Sequence, residues 1–258
     1  MECRRELYTV ARSRNVRARP VRQGYTDAMR INHRAIFACG AMLMCCRPVC
    51  AENSAVGRAP AWPDTFVARV EAVALLQTLN VNLLSHDSAT LTLERWCDVH
   101  RLASPARIVA VRDTDREKPV SPEQRRELAV TPTEPVRYRR VRLLCGTVEL
   151  SEADNWYVPG RLTAEMNKQL DGSDMPFGKV VQALHFQRHT LSSTLLWVPL
   201  PEGWEMNPLP PGEASAVLAI PPELLQHRAL LTLPDGTPFS EVVETYMAGV
   251  LAFQAPRP

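Results

Sequence analysis

At 258 residues the chain has room for one domain or two small ones, with a full hydrophobic core. Its 45% apolar and 22% charged residues are ordinary for a folded protein and exclude a wholly disordered or collagen-like chain. The formal charge of +2 is unevenly spread: residues 1–51 hold 10 of the 30 Lys and Arg but only 3 of the 28 Asp and Glu, so the remainder is mildly acidic. That excludes the basic footprint of a nucleic-acid binder.

The basic excess has a recognisable layout. Met29-Arg30-Ile31-Asn32-His33-Arg34 is a short basic segment, and Ala35 to Cys46 is apolar or small throughout. Val49-Cys50-Ala51 then supplies small residues ahead of Glu52. This is the pattern of a secretory signal peptide over 29–51, cleaved after Ala51, and its apolar run is too short for a stable membrane span. It predicts a periplasmic or secreted protein translated from Met29, with residues 1–28 a disordered upstream extension. The competing reading is a basic tail followed by a short core helix. Cleavage would remove Cys3, Cys39, Cys45, Cys46 and Cys50, leaving Cys97 and Cys145 either as one disulfide or as two buried thiols. No cysteine or histidine spacing suits zinc, so no metal is expected.

Residues 52–62 read as a leader. Asp64 is the expected N-cap of a helix reaching Leu84, through Phe66, Val67, Val70 and Val73. Asp87-Ser88 opens a second helix that runs to about His100. Arg107 to Arg112 is a first strand. Ser121-Pro122-Glu123-Gln124 combines a cap, a first-turn proline and a capping-box glutamine, predicting a short helix to Val130. Val136 to Cys145 and Leu150 to Pro159 are strands around a turn at Gly146, and Thr163 to Leu170 is amphipathic. Phe177 to Leu184 reads as helix and Phe186 to Val198 as strand. Prolines from Pro201 to Pro222 mark an irregular excursion. Leu230 to Leu233 and Pro238 to Leu251 form a hairpin around Asp235-Gly236. Antiparallel strands with a few helices predict an α+β fold.

The strand Val136–Cys145 raises the chemical question. In steps of two, Val136, Tyr138, Arg140, Arg142 and Leu144 share a face, which sets two guanidiniums among apolar side chains. A cation in such surroundings calls for an anionic partner; an exposed or salt-bridged strand is the plainer reading.

The succession Tyr138, Arg140, Leu143-Leu144-Cys145, then Ala153 through Pro159, then Met175-Pro176-Phe177-Gly178 resembles chorismate lyase (chorismate pyruvate-lyase) and the related UTRA effector-binding domains of bacterial transcription regulators. The resemblance spans a domain over 63–253, leaving 254–258 as a tail. It implies an antiparallel sheet with flanking helices and a closed pocket for a small aromatic carboxylate, with no cofactor. By the same resemblance Arg140 anchors the carboxylate, with backbone amides at Ala89 and Phe177, and Glu244 meets the ligand's far end as catalytic partner. Val242, Tyr246 and Val250 share the face of Glu244; Glu241 is its rival on the opposite face. The second arginine of the lyases falls on Asn155, which donates hydrogen bonds but carries no charge; Arg142, Arg188 or Asn155 itself are the candidate substitutes. Two readings follow: a lyase forming 4-hydroxybenzoate and pyruvate from chorismate, or a non-catalytic module binding a small acid. Either is expected to be a monomer with no nucleic-acid partner.

Overall fold

A computed structural model describes residues 61–207 and 216–253 of the protein. The expected extension (1–28), signal peptide (29–51) and tail (254–258) lie outside the described residues, as does the leader up to residue 60.

The described strands are β1 (Ile108–Asp113), β2 (Arg137–Cys145), β3 (Val148–Tyr157), β4 (Gln187–Leu195), β5 (Glu223–Thr232) and β6 (Pro238–Met247). They form one six-stranded sheet in the order β1-β2-β3-β6-β5-β4, with every neighbouring pair antiparallel. The expected α+β architecture is what the chain adopts. Gly146 (φ 58°) and Gly236 (φ 84°) turn the two tight hairpins in the left-handed region where glycine is unstrained. β5 starts at Glu223, ahead of the expected Leu230. Gln226, His227 and Arg228 interrupt the apolar run, but each finds a polar partner, so the strand continues through them.

The helices are α1 (Phe66–Leu84), α2 (Ala89–Val99), α3 (Pro122–Glu127), α4 (Ala164–Gly172) and α5 (Phe177–Val180). The cap of α1 is Thr65, whose hydroxyl accepts from the Ala68 N–H at 3.2 Å; the expected Asp64 instead pairs with Arg69 at 2.6 Å. Asp64 is held back because its own N–H bonds the Ala216 carbonyl at 2.8 Å. α1 is long and apolar enough, by length and composition, to cross a membrane, but Ala68, Ala72, Leu76, Leu79 and Leu83 form a stripe buried in the core. Ser88 caps α2, and Ser121 with Gln124 forms the capping box of α3 as expected. The helix expected over Phe177–Leu184 is a single α turn followed by a 3-10 turn at Gln182–Leu184.

α1 and α2 pack on one face of the sheet and share a core with Val141, Leu143, Ala153, Val242 and Tyr246. A second cluster on Phe177, Phe186 and Phe239 continues toward β4. On the opposite face, α3 covers a smaller cluster of Leu128, Trp156 and Val158. Cys97 of α2 and Cys145 of β2 are joined in a disulfide, their Cα atoms 6.4 Å apart, which decides the alternative the sequence left open.

Candidate functional site

The covered face of β2 is the odd-numbered one. Arg139, Val141, Leu143 and Cys145 turn toward α2 and the core, whereas Arg140 and Arg142 turn the other way. The face assigned to Arg140 from the sequence is therefore corrected: Arg140 does not reach the hollow beneath α2. Its guanidinium lies in a cage of carboxylates, donating to Asp154 at 2.9 Å and to Glu152, with Asp113 at 3.5 Å. Arg142 is half-exposed and pairs with Glu149 at 3.3 Å. The physical reason is charge complement. The even face of β2 meets acids from β1 and β3 in the ladder, whereas no acid of either strand stands opposite its odd-numbered residues.

The hollow lies where the two larger core clusters meet, under the start of α2 and beside the start of α5. Its empty volume is about 490 Å³ with its open mouth included, and its apolar walls include Val141, Ala153, Val242 and Phe186. Arg139, Asn155 and Val242 sit side by side across β2, β3 and β6, because the register pairs Arg139 with Asn155 and Asn155 with Val242. Ala89, Asn155, Phe177 and Glu244, all singled out from the sequence, line this one cavity. Gly178 allows the beginnings of α2 and α5 to approach: a Cβ there would stand 3.3 Å from the hydroxyls of both Ser88 and Thr90. Ser88 caps the Leu91 N–H, and the N–H groups at the first turn of an α-helix have no partner within the helix; those of Ala89 and Thr90, at the cavity wall, have none among the described residues.

Two cations, Arg139 and Arg188, and two carboxylates, buried Glu244 and exposed Asp87 at the mouth, line it. Arg139 is 4% exposed and has no ion pair among the described residues. One of its terminal nitrogens donates to the Met175 carbonyl at 3.2 Å, and its Nε has no partner among the described residues. Burial, with Arg112 nearby, pulls its pKa down to about 10, so it remains charged at neutral pH. Arg188 differs. Burial depresses its pKa, but the adjacent Glu244 outweighs this and holds it above the usual range. It donates to Glu244 at 2.6 Å, both side chains being under a tenth exposed, and Tyr246 donates to the same carboxylate oxygen at 3.2 Å. Asn155 accepts from the Ser240 hydroxyl at 2.6 Å. Inside the cavity, then, one positive charge is compensated and one is not.

Glu241, the rival to Glu244, is fully buried on the other face, where it accepts from Arg228 at 2.8 Å and Gln124 at 3.3 Å. It ties α3 to the sheet and lies outside the cavity. The sequence reading missed Arg139 as the inward arginine. The signal was present in the apolar steps Val141, Leu143 and Cys145 that follow it at a period of two. Arg188 had been only one of three substitutes for the missing second arginine. Its strand alternates poorly, and only the β4–β5–β6 pairing brings it to Glu244. Among the described residues no cluster of histidine, cysteine and acidic side chains is suited to a metal ion.

No family model matches the chain. The protein y4mC of Sinorhizobium fredii, whose description is "uncharacterized", is 52% identical over 226 residues, covering 87% of this chain and 94% of its own length. Among solved structures, YydK from Bacillus subtilis is 17% identical with a TM-score of 0.34, covering 58% of this chain and 62% of that one. PhnF from Mycobacterium smegmatis is 11% identical with a TM-score of 0.37, covering 59% and 63%. A GntR-family transcriptional regulator from Enterococcus faecalis is 13% identical with a TM-score of 0.33, covering 58% and 96%. The matched part is under two-thirds of the length of YydK and PhnF. Superpositions this loose carry no functional argument, and the strand order above stands on this chain's own pairing.

Proposed function

We propose that this chain, which belongs to one family with the y4mC protein of Sinorhizobium fredii, binds a small monocarboxylic acid in the cavity between α2, α5 and the sheet. The observation that carries the reading is Arg139: a buried guanidinium without a carboxylate partner among the described residues, beside the first-turn amides of α2. An uncompensated buried cation is costly, and a planar carboxylate is the shape its fork of donors accepts. Glu244 neutralises Arg188 and Asp87 is exposed at the mouth, so the buried part of the cavity offers one net positive charge and suits a monoanion better than a dianion. Its apolar walls favour an aromatic or branched aliphatic body. The sequence resemblance to chorismate lyases and UTRA effector-binding domains adds support.

Cleavage of chorismate is the second reading, and the position of Glu244 in the same cavity favours it. Glu244 would assist proton movement at the ring oxygen while Arg139 and the Ala89 and Phe177 amides hold the ring carboxylate. Against it stands the charge count, because chorismate is a dianion and Arg188 is already paired. Titration calorimetry of the full chain with benzoate, 4-hydroxybenzoate and chorismate separates the two. Binding without release of 4-hydroxybenzoate supports the binding module. Turnover of chorismate supports the lyase, and no heat with any acid overturns both.

Export is proposed from the 29–51 pattern, and the Cys97–Cys145 disulfide fits an oxidising compartment. The N-terminal sequence of the mature protein from its host tests it: a start at Glu52 is expected, and a retained Met29 overturns export.

A further inference from the structure

Glu241 has no part in the cavity, yet its surroundings hold more negative charge than they neutralise. Three carboxylates converge there on one guanidinium. Arg228 of β5 donates from Nε to Glu241 at 2.8 Å, from one terminal nitrogen to Glu127 at 2.6 Å and from the other to Glu123 at 3.4 Å. Nε and the terminal nitrogen beside it form one edge of a guanidinium. On Arg69 that edge holds the two oxygens of a single carboxylate, Asp64. On Arg228 it is divided between Glu241 of β6 and Glu127 of α3, which brings oxygens of two different carboxyls within hydrogen-bonding reach of each other.

Glu241 is fully buried. Gln124 and Arg228 both donate to its Oε1, and its Oε2 has no partner among the described residues. A fully ionised pair would leave that buried oxygen without a donor and set two negative charges side by side on one positive edge. Glu123 adds a third, but it is mostly exposed and screened. The neighbouring elements bring no further cation to the pair. Asp154 of β3 takes up Lys118 and Arg140, His189 of β4 is exposed and turned to the Thr232 hydroxyl, and on α3 Arg125 donates to the carbonyls of Thr131 and Glu134 while Arg126 is exposed. Burial first, then the hydrogen bond and charge of Glu241, hold the Glu127 pKa above its ordinary value, with Arg228 opposing.

We infer that Glu127 and Glu241 share one proton, and that this proton latches α3 onto the sheet. With it, the contact is a hydrogen bond carrying a single negative charge against Arg228. Without it, two carboxylates repel across the boundary between α3 and β6, and α3 loosens. The latch lies on the face opposite the cavity and does not depend on what the cavity binds. A carboxyl whose folded pKa is raised contributes its stability at low pH and loses it as the pH rises above the ordinary value of 4.5.

Hydrogen exchange of the α3 segment in the full chain, read by mass spectrometry from about pH 5 to pH 8 and corrected for the intrinsic pH dependence of exchange, tests this. Protection of the α3 amides, including the Leu128 N–H bonded to the Gln124 carbonyl at 2.8 Å, should fall by about threefold or more as the pH rises. Glu127→Gln supplies an amide donor that needs no proton, and Glu241→Gln does the same from the other side, so either exchange should abolish the fall. Each is sufficient, so failure of one to fold leaves the other to decide. Protection that does not change with pH in the unaltered protein overturns the inference, and so does a fall that persists in either folded variant.

Discussion

The two faces of β2 carry adjacent arginines in opposite situations. Arg140 lies among Asp113, Glu152 and Asp154, and the acid nearest it is well served: burial raises the Asp154 pKa, but hydrogen bonds from Lys118, Tyr138 and Arg140 outweigh this and hold it below the usual range. Arg139, one residue earlier, is more deeply buried, with a carbonyl as its hydrogen-bond acceptor and no acid paired with it. A paired arginine stabilises the fold that holds it. An unpaired one costs stability until something anionic arrives, and that difference is what supports the proposal of a binding site on the cavity side.

The comparison breaks most sharply at Arg139. Arg139→Met should abolish a partner for the ligand carboxylate and weaken acid binding by roughly a hundredfold or more, since a broken buried pair is worth about 3–5 kcal/mol. The same change should leave the melting temperature of the unliganded protein equal or higher, because a buried uncompensated charge has been removed. A clear drop in melting temperature without ligand would show that Arg139 is structural after all. The disulfide comes next. It joins α2 and β2, the two elements that carry the amides and Arg139, across a sequence separation of 48 residues. Cys97→Ala with Cys145→Ala should lower stability by about 4 kcal/mol on the loop-entropy scale, read by chemical denaturation.

Arg188 tests the intermediate case, a buried cation that is paired. Arg188→Leu strands Glu244 and should destabilise by about 3–5 kcal/mol, while Arg188→Leu with Glu244→Leu should recover much of that loss. A double change no better than the single one would show that the pair is not coupled. His227 lies beside this pair on β5, opposite Glu244, and burial, then Arg188, pushes its pKa down to about 4, with Glu244 opposing. Its folded pKa is below the unfolded value of about 6.5, so the unfolded chain takes up the proton first as pH falls. Stability should therefore decline between about pH 6.5 and pH 4, by roughly 3 kcal/mol, and His227→Gln should flatten that part of the curve. The smallest effect belongs to Arg140. Arg140→Ala should cost about 1–2 kcal/mol through its partly exposed network and leave acid binding unchanged.

Most of the element plan was readable from residues alone. Ser88 and the Ser121–Gln124 box marked the starts of two helices, because capping is local chemistry satisfied within three residues. Asp235-Gly236 marked the last hairpin for a similar reason. The start of β5 was not readable, because the partners that make Gln226, His227 and Arg228 acceptable inside a strand lie on other elements.

What the residues by themselves determined, then, is that β2 alternates, that it carries arginines on both faces, and that Ala89, Asn155, Phe177 and Glu244 belong near a ligand if the resemblance holds. They did not determine which face is covered. Alternation defines two faces without labelling them, and a shift of one position exchanges every side chain between them. Only the packing of α2 on the odd face, together with acids on the neighbouring strands of the even one, put Arg139 inside and Arg140 outside. The Arg188–Glu244 pair and the Cys97–Cys145 link were decided in the same way, by strand order and helix docking that bring distant parts of the chain within bonding distance.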